Sequence, residues 1–132
     1  MAGASAKFRE KQMRNIAPDI FRQRLLMEAF FTIDVTRENL AKYLVSVAAH
    51  LGLRTYGEPT IFSPALGMGK EENQGFDAFL PLIDSGISAY VWSKSKFFAI
   101  VLFTCKEFDE RAAIAFTRQY FAVSEKIVSK SF

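Results

Sequence analysis

The sequence predicts an α/β (α+β) two-layer sandwich, a mostly antiparallel sheet with two helices on one face. Three observations carry this. Apolar runs of strand length recur along the chain, two stretches repeat apolar residues at helical spacing, and short polar turns join three consecutive strand runs as in antiparallel hairpins.

Residues 1–22 read as a basic N-terminal extension, with a helix-compatible stretch that breaks at Pro18. Residues 23–132 read as one domain, within the usual ~100–200 residues. From Arg24 the run Leu25, Leu26, Met27, Ala29, Phe30, Phe31 and Ile33 forms the first core strand. Asp34 and Thr36 are N-cap types, Glu38 suits a helix start, and Leu40, Tyr43, Leu44, Val47 and Leu51 give one buried helix face ending at Gly52. Leu53 to Phe62 is expected as a second strand, and Ser63 to Gly75 as a long loop of the kind that is often functional.

The strand runs 76–83, 87–92 and 97–104 follow, separated by Asp84-Ser85-Gly86 and Ser93-Lys94-Ser95-Lys96. Pro81 has no ladder donor, so its strand is expected to be an edge or to be interrupted there. A second helix starts near Asp109 with Ala112, Ala113, Phe116, Tyr120 and Val123 on its stripe and Ile114 and Phe121 outside it. Lys126 to Phe132 either adds a short strand or frays. Helices on one face leave the other side of a Phe-rich sheet uncovered, which predicts a homodimer.

Composition narrows the chemistry. Half of the 132 residues are apolar and 14 are Phe, so a core forms without disulfide or metal. One cysteine, Cys105, and one histidine, His50, exclude an internal disulfide and the usual zinc constellations, and they fit a reducing, cytoplasmic setting. There is no signal-like run and no stretch of ~20 apolar residues, so no membrane partner is expected. The net charge of +3 comes largely from Lys7, Arg9, Lys11, Arg14, Arg22 and Arg24, but no base-stacking aromatic pattern accompanies it and no nucleic-acid partner is expected. His50, at a helix end, reads as a surface or capping residue. The GMGK at 67–70 lacks the spacing of a phosphate loop. Cys105, after an apolar run, reads by default as a buried small hydrophobe.

One stretch alters that default. Asp84-Ser85-Gly86-Ile87-Ser88-Ala89-Tyr90-Val91-Trp92 followed by Ala99-Ile100-Val101-Leu102-Phe103-Thr104-Cys105 resembles the core of the prokaryotic S-adenosylmethionine decarboxylases. An acidic residue and a serine open a strand there, tryptophan closes it, and the next strand ends in Leu-Phe-Thr-Cys. The spacing from Ser85 to Cys105 matches without a gap, and the likeness extends over about Arg24 to Ser124.

The resemblance implies a pyruvoyl-dependent enzyme of polyamine (spermidine) biosynthesis. Ser85 would be the pyruvoyl precursor, the Asp84–Ser85 bond the cleavage site, and Cys105 the donor that returns a proton to substrate carbon. Three positions depart from the pattern. Tyr90 stands where the family has the processing histidine, and a phenol of pKa near ~10 is a poor base at neutral pH. Asp77 stands at a processing serine. Lys94 replaces the glutamate that holds the substrate's ribose hydroxyls, so only donors remain. The expectation is a family homologue with impaired self-processing. The alternatives are a non-catalytic partner of an active paralogue, or a binding module for S-adenosylmethionine or another small molecule, and a pyruvoyl enzyme acting on another amino acid.

Overall fold

The structure is a computed structural model that describes residues 13–64, 69–70 and 74–132. Strand β1 (Gln23–Phe30) alternates strictly, with Leu25, Met27 and Ala29 buried. Helix α1 (Arg37–His50) starts at Thr36, whose hydroxyl accepts the Asn39 N–H at 3.1 Å while the Asn39 side-chain Oδ1 accepts the Thr36 N–H at 2.8 Å. That reciprocal capping box satisfies two donors the helix would otherwise leave open. Gly52, at φ 70°, takes the left-handed conformation just past the helix end.

The predicted strand from Leu53 to Phe62 contracts to β2 (Thr60–Phe62) and a single bridge from Thr55 to Leu82. Gly57 and Pro59 between them interrupt any ladder. Strands β3 (Gly75–Leu82), β4 (Ser85–Trp92) and β5 (Phe97–Thr104) form two hairpins, and β6 (Val128–Ser131) pairs with β1. The order β2-β3-β4-β5-β1-β6 is antiparallel throughout. Pro81 lies in an interior strand, yet beyond the three residues that pair with β2. Its carbonyl accepts the Tyr56 N–H at 3.1 Å, so its nitrogen faces the side where β2 has already ended.

Helix α2 (Glu110–Tyr120) is capped by Asp109, whose side chain accepts the Ala112 N–H at 3.1 Å. Its buried stripe is Ala113 and Thr117, continued by Phe121 just past its end. Phe116 and Tyr120 are only half-buried and lie against Tyr43 of α1. Of the predicted stripe, Ala113 and Val123 are buried and Phe116 and Tyr120 pack against the core, while the fully buried line is rotated towards Thr117 and Phe121. Phe121 stands four residues after Thr117, in line with it, and the helix ends there, with Ala122 at φ 49°. It is fully buried among Phe31, Tyr43, Phe98 and Tyr120. Thr117 is buried because it shares a 2.7 Å hydrogen bond with the hydroxyl of Tyr43, whose burial pushes its pKa up.

Both helices share one core with Ala78, Leu80, Leu82, Ile87, Ala89, Val91, Phe98, Ile100 and Leu102 of the sheet. The opposite sheet face is open. It carries Phe30, Phe62, Phe79, Tyr90, Phe103 and Val128, each between 40% and 68% exposed. Residues 13–17 form no helix, because the Asn15 side chain accepts the Ala17 N–H and Arg22 ties the Ala17 and Ile20 carbonyls. The rest of the predicted helical stretch, and Gly67 and Met68 of the GMGK, lie outside the described residues. Among the described residues no helix is long and apolar enough to cross a membrane.

Candidate active site

Leu82 and Ser85 close the β3–β4 hairpin, so its turn is Ile83-Asp84 and Ser85 already belongs to β4. Three residues of turn chemistry, Asp84, Ser85 and Gly86, suggest a longer loop than forms. The consequence falls on Ser85, which sits at φ 121°. A side chain rarely adopts that conformation, and holding one there costs about 1–3 kcal/mol. Gly86 follows, and a methyl group there would come within 2.6 Å of the Phe79 ring, so the open face packs directly over this backbone.

Asp84 is almost wholly buried and every oxygen it has is engaged. Its Oδ2 accepts the Arg54 backbone N–H at 3.0 Å and the Arg54 Nε–H at 3.4 Å, and its Oδ1 accepts from Arg54 Nη2 at 2.8 Å. The guanidinium bonds and the Arg54 backbone N–H, opposed by burial, hold the Asp84 carboxyl down at about 2. The main-chain oxygen of Asp84 accepts the Cys105 N–H at 2.9 Å. In return Ile83 N–H donates to the Arg54 carbonyl at 2.9 Å.

Three segments therefore meet at one corner of the sheet. Gly52–Tyr56 leaves α1, Ile83–Ser85 turns between strands, and Thr104–Lys106 leaves β5. Thr104 is fully buried and its hydroxyl donates to the Lys106 carbonyl at 2.8 Å, while Lys106 Nζ donates to the Gly52 carbonyl at 2.9 Å. Cys105 itself is exposed, not the buried hydrophobe that its apolar run suggests by default. Thr104 before it reaches inward and its own backbone N–H reaches Asp84, leaving Cys105 at the surface of the corner.

Of the sequence-predicted residues, Asp84, Ser85 and Cys105 are brought together. Asp77, Tyr90 and Lys94 are not part of that corner. Asp77 and Tyr90 are direct cross-strand partners on the open face. Tyr90 lies five residues along β4 from Ser85, about 16 Å at ~3.3 Å per residue. Lys94 is exposed in the β4–β5 turn at the far end of the same hairpin. His50 is exposed at the end of α1 with its ring 5.0 Å from that of Phe116, as a surface residue. A groove against α1, lined by Ala41, Lys42, Val45, Ser46, Gly57, Glu58 and Pro59, includes no residue of the corner.

Arg54 is the residue that sequence reasoning missed. It lies 30 positions from Asp84, and its only signal is indirect: a buried carboxylate requires a cation, and Arg54 follows the helix-ending Gly52.

No curated protein matches the sequence. Among solved structures, the adenosylmethionine decarboxylase from Aquifex aeolicus VF5 superposes with a TM-score of 0.67, covering 86% of this chain and 89% of that one at 13% identity, a likeness of fold. The sequence profile of the S-adenosylmethionine decarboxylases matches residues 29–131, a span that holds both hairpins, both helices and the whole Asp84–Cys105 corner, and the chain belongs to that family.

Proposed function

We propose that this chain is a S-adenosylmethionine decarboxylase homologue of polyamine metabolism whose self-processing is impaired. The single observation that carries the reading is the split of the site. Ser85, strained and next to a carbonyl held by the Cys105 N–H, sits at one end of β4, while Tyr90 and Asp77 sit near the other.

The corner fits the precursor of a pyruvoyl group. Ser85 is the nucleophile, the Asp84 carbonyl is its target, and the Cys105 N–H polarises that carbonyl as charge develops on its oxygen. Once formed from Ser85, the group supplies a ketone that withdraws electrons as carbon dioxide leaves. Cys105, exposed at the same corner, supplies the thiol that holds and returns a proton.

What is lacking is a base. Within one chain Tyr90 is too distant to serve Ser85, so only a second copy brings the two together. The open apolar face supports such a homodimer, since six large side chains lie exposed there. Even then the group delivered is a phenol and not an imidazole, a poorer general base. The same geometry favours a second reading, in which an active paralogue pairs with this chain and contributes the base. Lys94 departs from a ribose-binding carboxylate, which weakens recognition of a nucleoside and leaves room for another amino acid as substrate.

The test is the intact mass of the purified protein. One chain near 14.9 kDa with an unmodified Ser85 is expected. Complete splitting after Asp84, with a keto group on the second fragment, overturns the impaired-processing reading.

A further inference from the structure

A two-residue hairpin turn does not need a buried ion pair, because small or exposed turn residues close such hairpins without one. Here the turn residue Asp84 is taken out of water, and a cation is fixed on it from a separate segment. Burying a carboxylate is a poor way to gain stability compared with an apolar or neutral residue. It does fix geometry, since the fork of Arg54 meets both carboxylate oxygens and its backbone N–H repeats the contact. The Ile83 N–H to Arg54 carbonyl bond locks the same two segments from the other direction. The Arg54 side chain is 64% exposed, so packing is not its main role.

We propose that Arg54 is a positioning residue for the Asp84–Ser85 peptide, its guanidinium closed on the Asp84 carboxylate so that Ser85 stays at positive φ and the Asp84 carbonyl stays against the Cys105 N–H. The proposal rests on the reading of Ser85 as the nucleophile of chain splitting. In that first step Ser85 Oγ bonds to the Asp84 carbonyl carbon, the carbon–nitrogen bond breaks, and the hydroxyl proton passes to the freed Ser85 nitrogen. An ester replaces an amide and nothing is oxidised or reduced. Arg54 touches none of the reacting atoms and acts through the turn alone.

The first step can be read apart from the later elimination. Hydroxylamine cleaves esters at neutral pH and leaves ordinary amides, and the chain contains no Asn-Gly bond, the peptide bond it attacks most readily. The full-length natural protein incubated with hydroxylamine should split between residues 84 and 85, as read by intact mass, and Ser85→Ala should not. Arg54→Gln and Arg54→Ala should split at least tenfold more slowly, a loss of ~1.4 kcal/mol of transition-state stabilisation. Arg54→Lys should recover part of the rate, because it keeps the charge without the fork. Melting curves taken alongside separate this from a merely structural role, which would lower the midpoint and leave the splitting rate of folded protein unchanged.

Arg54 variants that are folded and split as fast as the natural chain overturn the proposal. So does a natural chain that resists hydroxylamine, although the impaired-processing reading survives that result. If the natural chain arrives already split with a keto terminus, that reading falls and the Arg54 variants still decide. Unsplit variants then uphold the clamp, and fully split ones overturn it.

Discussion

Replacing Ser85 by glycine should stabilise the protein, an unusual direction for a substitution at a candidate catalytic position. The positive φ of 121° costs a residue with a side chain about 1–3 kcal/mol, and glycine removes that cost. Against it stands the greater freedom of glycine in the unfolded chain, ~0.5–1 kcal/mol. The net gain is up to about 2.5 kcal/mol, or up to roughly 10 °C in midpoint for a domain of this size. The reference is Ser85→Ala, which also lacks the hydroxyl but keeps the β-carbon, so neither protein can split and the difference reports the strain less the entropy of glycine. Thermal and urea unfolding followed by circular dichroism give both values. If Ser85→Gly is no more stable than Ser85→Ala, the turn stores no more strain than the entropy of glycine offsets, and the argument from backbone geometry fails.

Other expectations follow from the same contacts. Asp84 titrates near 2 in the folded chain and near ~3.9 when unfolded, so the stability it contributes is present above about pH 4 and is lost as pH falls towards 2. Denaturation midpoints across that range should fall more gently for Asp84→Asn than for the natural protein, and parallel slopes would count against the ion pair. Phe121→Ala should cost ~3–5 kcal/mol by urea unfolding, because it empties a fully buried site ringed by four aromatics; a loss below ~1 kcal/mol would place the core elsewhere. Sedimentation at micromolar concentration should show a dimer that Phe103→Asp, on the open face, converts to folded monomer, whereas a natural protein that is already monomeric removes the basis for face-to-face pairing.

Much of the architecture was legible because alternation and turn chemistry are local. The β3–β4 and β4–β5 hairpins follow from apolar runs and polar breaks, and Thr36 announces α1 three residues before the Asn39 that completes its box. The failures occur where a partner distant in sequence decides. Phe121 looked misplaced because the buried stripe runs through the polar Thr117, which is buried only because Tyr43 supplies its partner from another helix. Leu53 to Phe62 has strand-like residues but is broken by Gly57 and Pro59.

At the site, the residues and their 20-position spacing were visible, since Ser85 and Thr104 are register partners and Cys105 follows. The separation of Tyr90 from Ser85 was not, because matching positions on a motif says nothing of their distance along an extended strand. Nor was Arg54, whose role exists only once Asp84 is folded against it.

The central claim is that the splitting corner is intact and that a base is missing from the other end of β4. The measurement that tests it most directly is the intact mass of Tyr90→His combined with Asp77→Ser, beside that of the natural chain. Removing a general base slows a step by ~10²–10⁴-fold, so restoring one should be plain on the scale of a purification. The natural chain should stay single near 14.9 kDa, and the double variant should appear as fragments 1–84 and 85–132, the second beginning with a keto group. A folded double variant that remains one chain, or a natural chain already split, contradicts the account.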